Sequence, residues 1–152
     1  MSEISEKQSL YLKISRIATF CESLRPESDM ERYLTEYLYI LLHEYIKASI
    51  TELKHDRSVN PLLRRRKPLH NNHAFNEHIR RIKKNISSKC GDALAKRFRD
   101  DDDMKFKLET LHTNRNEVAH GGSIYAPITE FAEIKKRIIE FVKAIDEISN
   151  TP

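Results

Sequence analysis

Arg115-Asn116-Glu117-Val118-Ala119-His120 sets a guanidinium five residues before an imidazole, and Gly121-Gly122 follow at once. An arginine offers a planar fork of donors that matches phosphate oxygens. A histidine takes or gives a proton near neutral pH. Together they supply two requirements of RNA cleavage without a metal: a proton shuttle and a cation for the charged phosphorane. Met104, Leu108, Leu111, Arg115 and Val118 recur at spacings of four and three, one stripe of an amphipathic helix. At about 100° per residue, Arg115 falls in the middle of that apolar stripe and Asn116 near its edge. His120 would lie about 140° from Arg115 if the helix ran on. Gly121 is placed to be the C′ residue, so the last turn can unwind and swing the imidazole beside Arg115 and Asn116. A plain alternative stands beside this. The helix macrodipole favours a histidine in a last turn, and Gly-Gly is an ordinary helix stop. That accounts for His120 and the glycines but not for Arg115, whose burial on a core stripe is costly unless it is paired, faces a cleft or snorkels.

The elements that must position these groups read as helices throughout. Ser5 to Leu24 repeats Leu10, Ile14, Ile17, Cys21 and Leu24 at helical spacing, and Arg25-Pro26 ends it. Ser28-Asp29-Met30-Glu31 fits a capping box for a long helix to about Lys54, with Met30, Leu34, Tyr37, Leu38, Leu41, Tyr45 and Ala48 as its apolar face. His73 to Lys89 is a third helix, with Phe75, Ile79, Ile82 and Ile86 inward, Arg80, Arg81, Lys83 and Lys84 mostly outward, and Cys90-Gly91 as its stop. Asp92 caps a short helix through Arg99. The aspartates from Asp100 to Asp103 suit the start of the motif helix, and consecutive positions would not converge on one ion. Pro127 opens a last helix with Phe131, Ile134, Ile138, Val142, Ile145 and Ile148 inward. The expectation is one all-α domain over residues 1–152, an up-and-down bundle of four main helices plus short extra ones. Its parts are an N-terminal helix in residues 1–26, a core bundle in 29–149 and a basic connector in 56–72.

Charge is unevenly spread. The chain carries +4 overall, but residues 56–89 alone carry +8 and the rest −4. Arg64, Arg65, Arg66 and Lys67 are four consecutive cations that would track a phosphate backbone, and with Arg80, Arg81, Lys83 and Lys84 they form a basic segment expected to hold flanking single-stranded RNA. A basic block on a mildly acidic body is the electrostatic footprint of a nucleic-acid binder, or simply a solvated connector. His70, His73 and His78 match no zinc spacing and read as surface histidines, so neither a metal nor another cofactor is expected. The two cysteines, Cys21 and Cys90, form no framework and are expected to be reduced. There is no signal-peptide core and no apolar run of membrane-spanning length, so the expected setting is cytoplasmic, away from membranes.

The R-N-x-x-x-H-G segment resembles the signature of HEPN domains. The ordered context is similar to the RiboL-PSP-type branch: a Glu-bearing apolar helix (Thr35-Glu36-Tyr37-Leu38 through Tyr45), a Pro- and Arg-bearing connection with Asn71-Asn72, the hexad, then Gly-Gly-Ser-Ile. The resemblance implies a helical, usually dimeric protein, often a metal-independent endoribonuclease. The chemistry of these groups assigns His120 as general acid/base on the 2′-hydroxyl or the leaving oxygen, Arg115 as ligand of the scissile phosphate, and Asn116 as a hydrogen-bond partner that orients His120 or the ribose. Glu36 falls near an acidic position that faces the cleft. The implied partners are RNA, a second copy of the chain, and an antitoxin or other regulatory protein, in defence or toxin-like control. Two other readings stay open: a non-catalytic module that binds RNA, nucleotide or protein, and a purely structural dimerisation bundle.

Overall fold

Four helices begin in the same way, with a side-chain oxygen accepting the amide three residues on. Ser5 accepts from Gln8, Ser28 from Glu31, Ser87 from Cys90 and Asp101 from Met104, at 3.0–3.2 Å. These caps partition the computed structural model, which describes residues 4–53, 73–124 and 126–150. It comprises α1 (Glu6–Glu22), α2 (Asp29–Glu52), α3 (His73–Asn85), α4 (Ser88–Arg97), α5 (Asp102–Ala119) and α6 (Ile128–Ser149), with no strand among the described residues. The protein is an all-α bundle. The basic connector, with Arg64, Arg65, Arg66, Lys67 and His70, lies outside the described residues.

The long helix α2 is the axis of the molecule and packs against α1, α3, α5 and α6. Leu38, Tyr39, Leu42 and Ile46 are fully buried on it, and Tyr39 meets Phe131 of α6 edge-on, with ring centroids 5.2 Å apart. The stripes expected for α5 and α6 are buried: Met104, Leu108 and Leu111 on the first, and Phe131, Ile134, Ile138, Val142 and Ile145 on the second.

Three local expectations need correction. Met30 and Tyr37 do not face the core; they are exposed, as is Tyr33. A helix buried on most of its circumference has no single apolar face to read from periodicity, and these three residues mark its open side. Glu31 does not close a capping box with Ser28. Its carboxylate accepts instead from Ile128 N at 3.1 Å and Glu27 N at 3.3 Å, tying α2 to the start of α6. The third helix ends at Asn85, not at Cys90-Gly91. Ile82 O accepts from both Ile86 N and Ser87 N, and Ser87 caps α4, so Gly91 lies buried inside that helix. A Cβ on Gly91 would meet Lys83 Cγ at 2.2 Å and Ile79 O at 3.3 Å. This glycine lets α4 approach α3 closely and is not a stop.

Candidate functional site

The hexad occupies the C-terminal turns of α5, and its two ends differ in kind. Arg115 is half-buried. Its Nη1 donates to Asn116 Oδ1 at 3.1 Å, while its Nε is buried with no partner among the described residues. Asn116 Nδ2 lies 3.1 Å from His112 Nε2, one helical turn back. His120 is the C-cap of the helix, its backbone N–H still bonded to Asn116 O at 3.0 Å, and its side chain is exposed.

The helix closes without unwinding. Gly121 takes a φ of +87°, its N–H bonds to Val118 O at 3.0 Å, and Gly122 N–H bonds to Glu117 O at 2.8 Å. This is a Schellman pair, and Gly121 is the left-handed C′ residue that it requires. The expected swing of His120 toward Arg115 therefore does not occur within the chain. No side-chain hydrogen bond joins His120 to Arg115 or Asn116 among the described residues, and Asn116 is spent on Arg115 and His112.

Glu36 of α2 meets the segment that follows the helix end. It is buried, and its Oε2 accepts from Ile124 N at 3.3 Å. With Glu31 on Ile128 N, two carboxylates of α2 hold the loop that follows the hexad at its middle and at its junction with α6.

Behind Arg115 lies a group that sequence reasoning missed. His43 of α2, His78 of α3 and His112 of α5 meet there, with ring centroids 6.4 Å apart for His43–His78 and 6.0 Å for His43–His112. His73 stands edge-on to His112 at 5.0 Å, and its Nδ1 is 3.4 Å from Glu109 Oε2. His78 is buried, not a surface histidine, and Nδ1 of both His43 and His78 is buried without a partner among the described residues. Burial, then His78, Arg115, His112 and Lys47, push His43 down to about 3. Burial, then Arg81 and His112, push His78 down to about 3. His112 is lowered by burial first and by His73 next; Glu109 opposes the shift, and Arg115 and Arg81 add to it. His43, His78 and His112 are thus held as neutral imidazoles with Arg115, Arg81 and Lys47 around them. Among the described residues no group of three or more His, Cys, Asp or Glu is arranged to hold a metal ion.

Two of these histidines leave a trace in the sequence. His78 lies on the same helical stripe as Phe75, Ile79 and Ile82, and His112 is placed three and four residues before Arg115 and Asn116. His43, between Leu42 and Glu44 at the end of an apolar run, leaves none. Of the expected RNA-binding cations on α3, Arg80 and Arg81 both pair with Glu77, Lys83 pairs with Asp92 at 3.0 Å, and Lys84 is exposed. None of the helices among the described residues is long and apolar enough to cross a membrane.

The profile of the RiboL-PSP-HEPN family matches residues 5–151 of the chain. No curated protein and no solved structure matches it.

Proposed function

This chain belongs to the RiboL-PSP-HEPN family, and from that premise we propose that it is a metal-independent endoribonuclease acting on single-stranded RNA. HEPN domains are frequently ribonucleases. The observation that carries the reading is the Arg115 guanidinium, half-buried and bonded to Asn116, its Nε without a partner among the described residues, five residues before an exposed histidine.

The chemistry follows from what each group can do. A 2′-hydroxyl loses its proton to one imidazole as its oxygen attacks the adjacent phosphorus. The bond from phosphorus to the 5′-oxygen breaks, and a second imidazole, already protonated, gives its proton to that oxygen. The products are a 2′,3′-cyclic phosphate and a 5′-hydroxyl. Arg115 binds the non-bridging oxygens, whose charge grows in the transition state. One chain supplies one His120, and two imidazoles are needed. A two-fold dimer repeats every group at its interface and brings a His120 from each copy. Asn116 keeps Arg115 oriented. Arg64, Arg65, Arg66, Lys67, Arg80, Arg81, Lys83 and Lys84 hold flanking RNA. Glu36 acts by fixing the loop that follows His120. The biological setting we favour is defence or toxin-like regulation in the cytoplasm, with an antitoxin or other protein restraining the activity.

A second reading rests on a specific observation: within one chain His120 is not joined to Arg115. A non-catalytic module would use Arg115 as part of a ligand cradle for RNA, nucleotide or a protein partner.

Cleavage of end-labelled single-stranded RNA by wild type and His120→Ala, with and without EDTA, separates the two. Ribonuclease action predicts cleavage that survives EDTA and falls by about 10² or more in the variant, the scale of a missing general acid/base. A loss under about threefold would remove His120 from the mechanism.

A further inference from the structure

The geometry points to His112 as the residue that positions Arg115 and Asn116, acting as a neutral acceptor through Nε2 with its own proton on Nδ1. The inference rests on the ribonuclease reading for its consequence in catalysis, but its structural content does not.

The argument is one of donors and acceptors. A guanidinium has only donors, so the contact from Arg115 Nη1 must end on an acceptor, Asn116 Oδ1 at 3.1 Å. This fixes which way the Asn116 amide faces, an assignment that otherwise depends on the surroundings. The other end of the amide, Nδ2, carries two N–H groups and no acceptor. It lies 3.1 Å from His112 Nε2, which must therefore offer a lone pair. The imidazole is neutral, and its proton is on Nδ1. Three groups form one directed chain, from cation to amide to imidazole lone pair. Protonating His112 would aim N–H at N–H and set a second cation near Arg115. Asn116 would then lose its anchor, and Arg115 the orientation that Asn116 gives it.

Burial and the surrounding cations favour the neutral form, and only Glu109 opposes it. His43 and Lys47 face the cluster from α2, and His73, His78 and Arg81 from α3. On α5 itself stand Arg115 and Glu109. Glu109 is already engaged by His73 at 3.4 Å and by Ala74 N at 3.0 Å. In the mechanism above, His112 touches neither substrate nor reacting atoms. It is a positioning residue, and the arginine it helps to aim is the one that meets the phosphate.

Two measurements test this. Long-range proton–nitrogen NMR spectra of histidine-labelled wild type report which ring nitrogen of His112 carries the proton. The expected result near neutral pH is a protonated Nδ1 and a bare Nε2; a protonated Nε2 overturns the proposal whatever the RNA assay shows. The second is single-stranded RNA cleavage by His112→Gln and His112→Leu across pH, with melting temperatures confirming that both fold. Glutamine can accept from Asn116 through its carbonyl at any pH, so kcat should stay within about threefold of wild type, whereas leucine should cost about tenfold in kcat, the scale of one positioning hydrogen bond, with little change in KM. The part of the acid-side fall in kcat that belongs to His112 should be missing in His112→Gln. A folded His112→Leu with wild-type kcat overturns the proposal. A wild type that cleaves no RNA refutes the ribonuclease reading instead, and the proton position then decides the positioning chain alone.

Discussion

Lowering the pH from 7.5 to 5.0 should remove about 4 kcal/mol of folding stability through His43 and His78. Both imidazoles are pushed down to about 3 in the folded protein from an ordinary 6.5, chiefly because they are buried. As the pH falls through 6.5 the unfolded chain takes up their protons and the folded chain does not. Stability therefore rises with pH across this window and is lost on acidification. At pH 5 each unfolded imidazole is almost fully protonated and each folded one almost fully neutral, which costs about 2 kcal/mol per group. That figure depends on the folded value lying well below 5, not on where below it lies. Repulsion between His43 and His78 does not enter while both are neutral in the fold, so the two costs add. His112 shifts in the same direction and adds to the loss. Glu77 and Asp101, whose carboxyls are lowered in the fold, keep their contribution above the ordinary carboxylate range and lose it only in stronger acid. Against a typical domain stability of about 5–15 kcal/mol, the histidine term is large. Urea unfolding followed by circular dichroism at pH 7.5 and 5.0, at fixed ionic strength, measures it. His78→Leu should leave about half the loss, about 2 kcal/mol. A loss under about 1 kcal/mol in wild type, or the same loss in His78→Leu, would refute the burial argument.

Glu36→Ala should destabilise by about 1–3 kcal/mol, because the buried Ile124 N–H loses its acceptor, while Glu36→Gln keeps a carbonyl there and should stay near wild type in urea unfolding. A Glu36→Gln protein of full stability but kcat reduced more than about tenfold would instead make Glu36 part of the chemistry. Gly121→Ala should cost about 1–2 kcal/mol by the same measurement, since the space around the new Cβ is open and only the φ of +87° opposes it; Gly121→Asn should cost less.

What could be read from the sequence follows from how local each cause is. Capping is local chemistry, so Ser5, Ser28 and Gly121 mark helix ends in the sequence as they do in the structure. The stripes of α5 and α6 are likewise legible, because each of these helices buries one face. Gly91 is not legible as a helix-interior residue, because its role depends on the distance to Lys83 on another helix. Met30 and Tyr37 fail for a related reason: α2 is packed on several sides, and its open side carries aromatic residues. The histidines show the divide most clearly. That His78 shares a stripe with Phe75 and Ile82 is written in the spacing. That His43, His78 and His112 converge from three helices is not, since it depends on how α2, α3 and α5 pack.

The hexad itself is divided between a tethered end and a free one, and this bears on how a single motif can serve a reaction needing two proton-transfer groups. Arg115 is held inward through Asn116 and His112. His120 stands outside, on a helix end closed by the amides of His120, Gly121 and Gly122. Beyond it, Ile124 is fastened to Glu36 and Ile128 to Glu31. Unwinding the last turn to carry His120 toward Arg115 within one chain would sacrifice the amide bonds of His120, Gly121 and Gly122, each contributing about 0.5–1.5 kcal/mol. A second copy across a two-fold axis needs none of that rearrangement, because it presents its own exposed imidazole to an arginine already in position. For the ribonuclease reading, the rigidity of the helix end therefore favours a shared site over a self-contained one. The same rigidity suits catalysis once assembled, since groups already held in place need not reorganise as charge develops on the phosphorane.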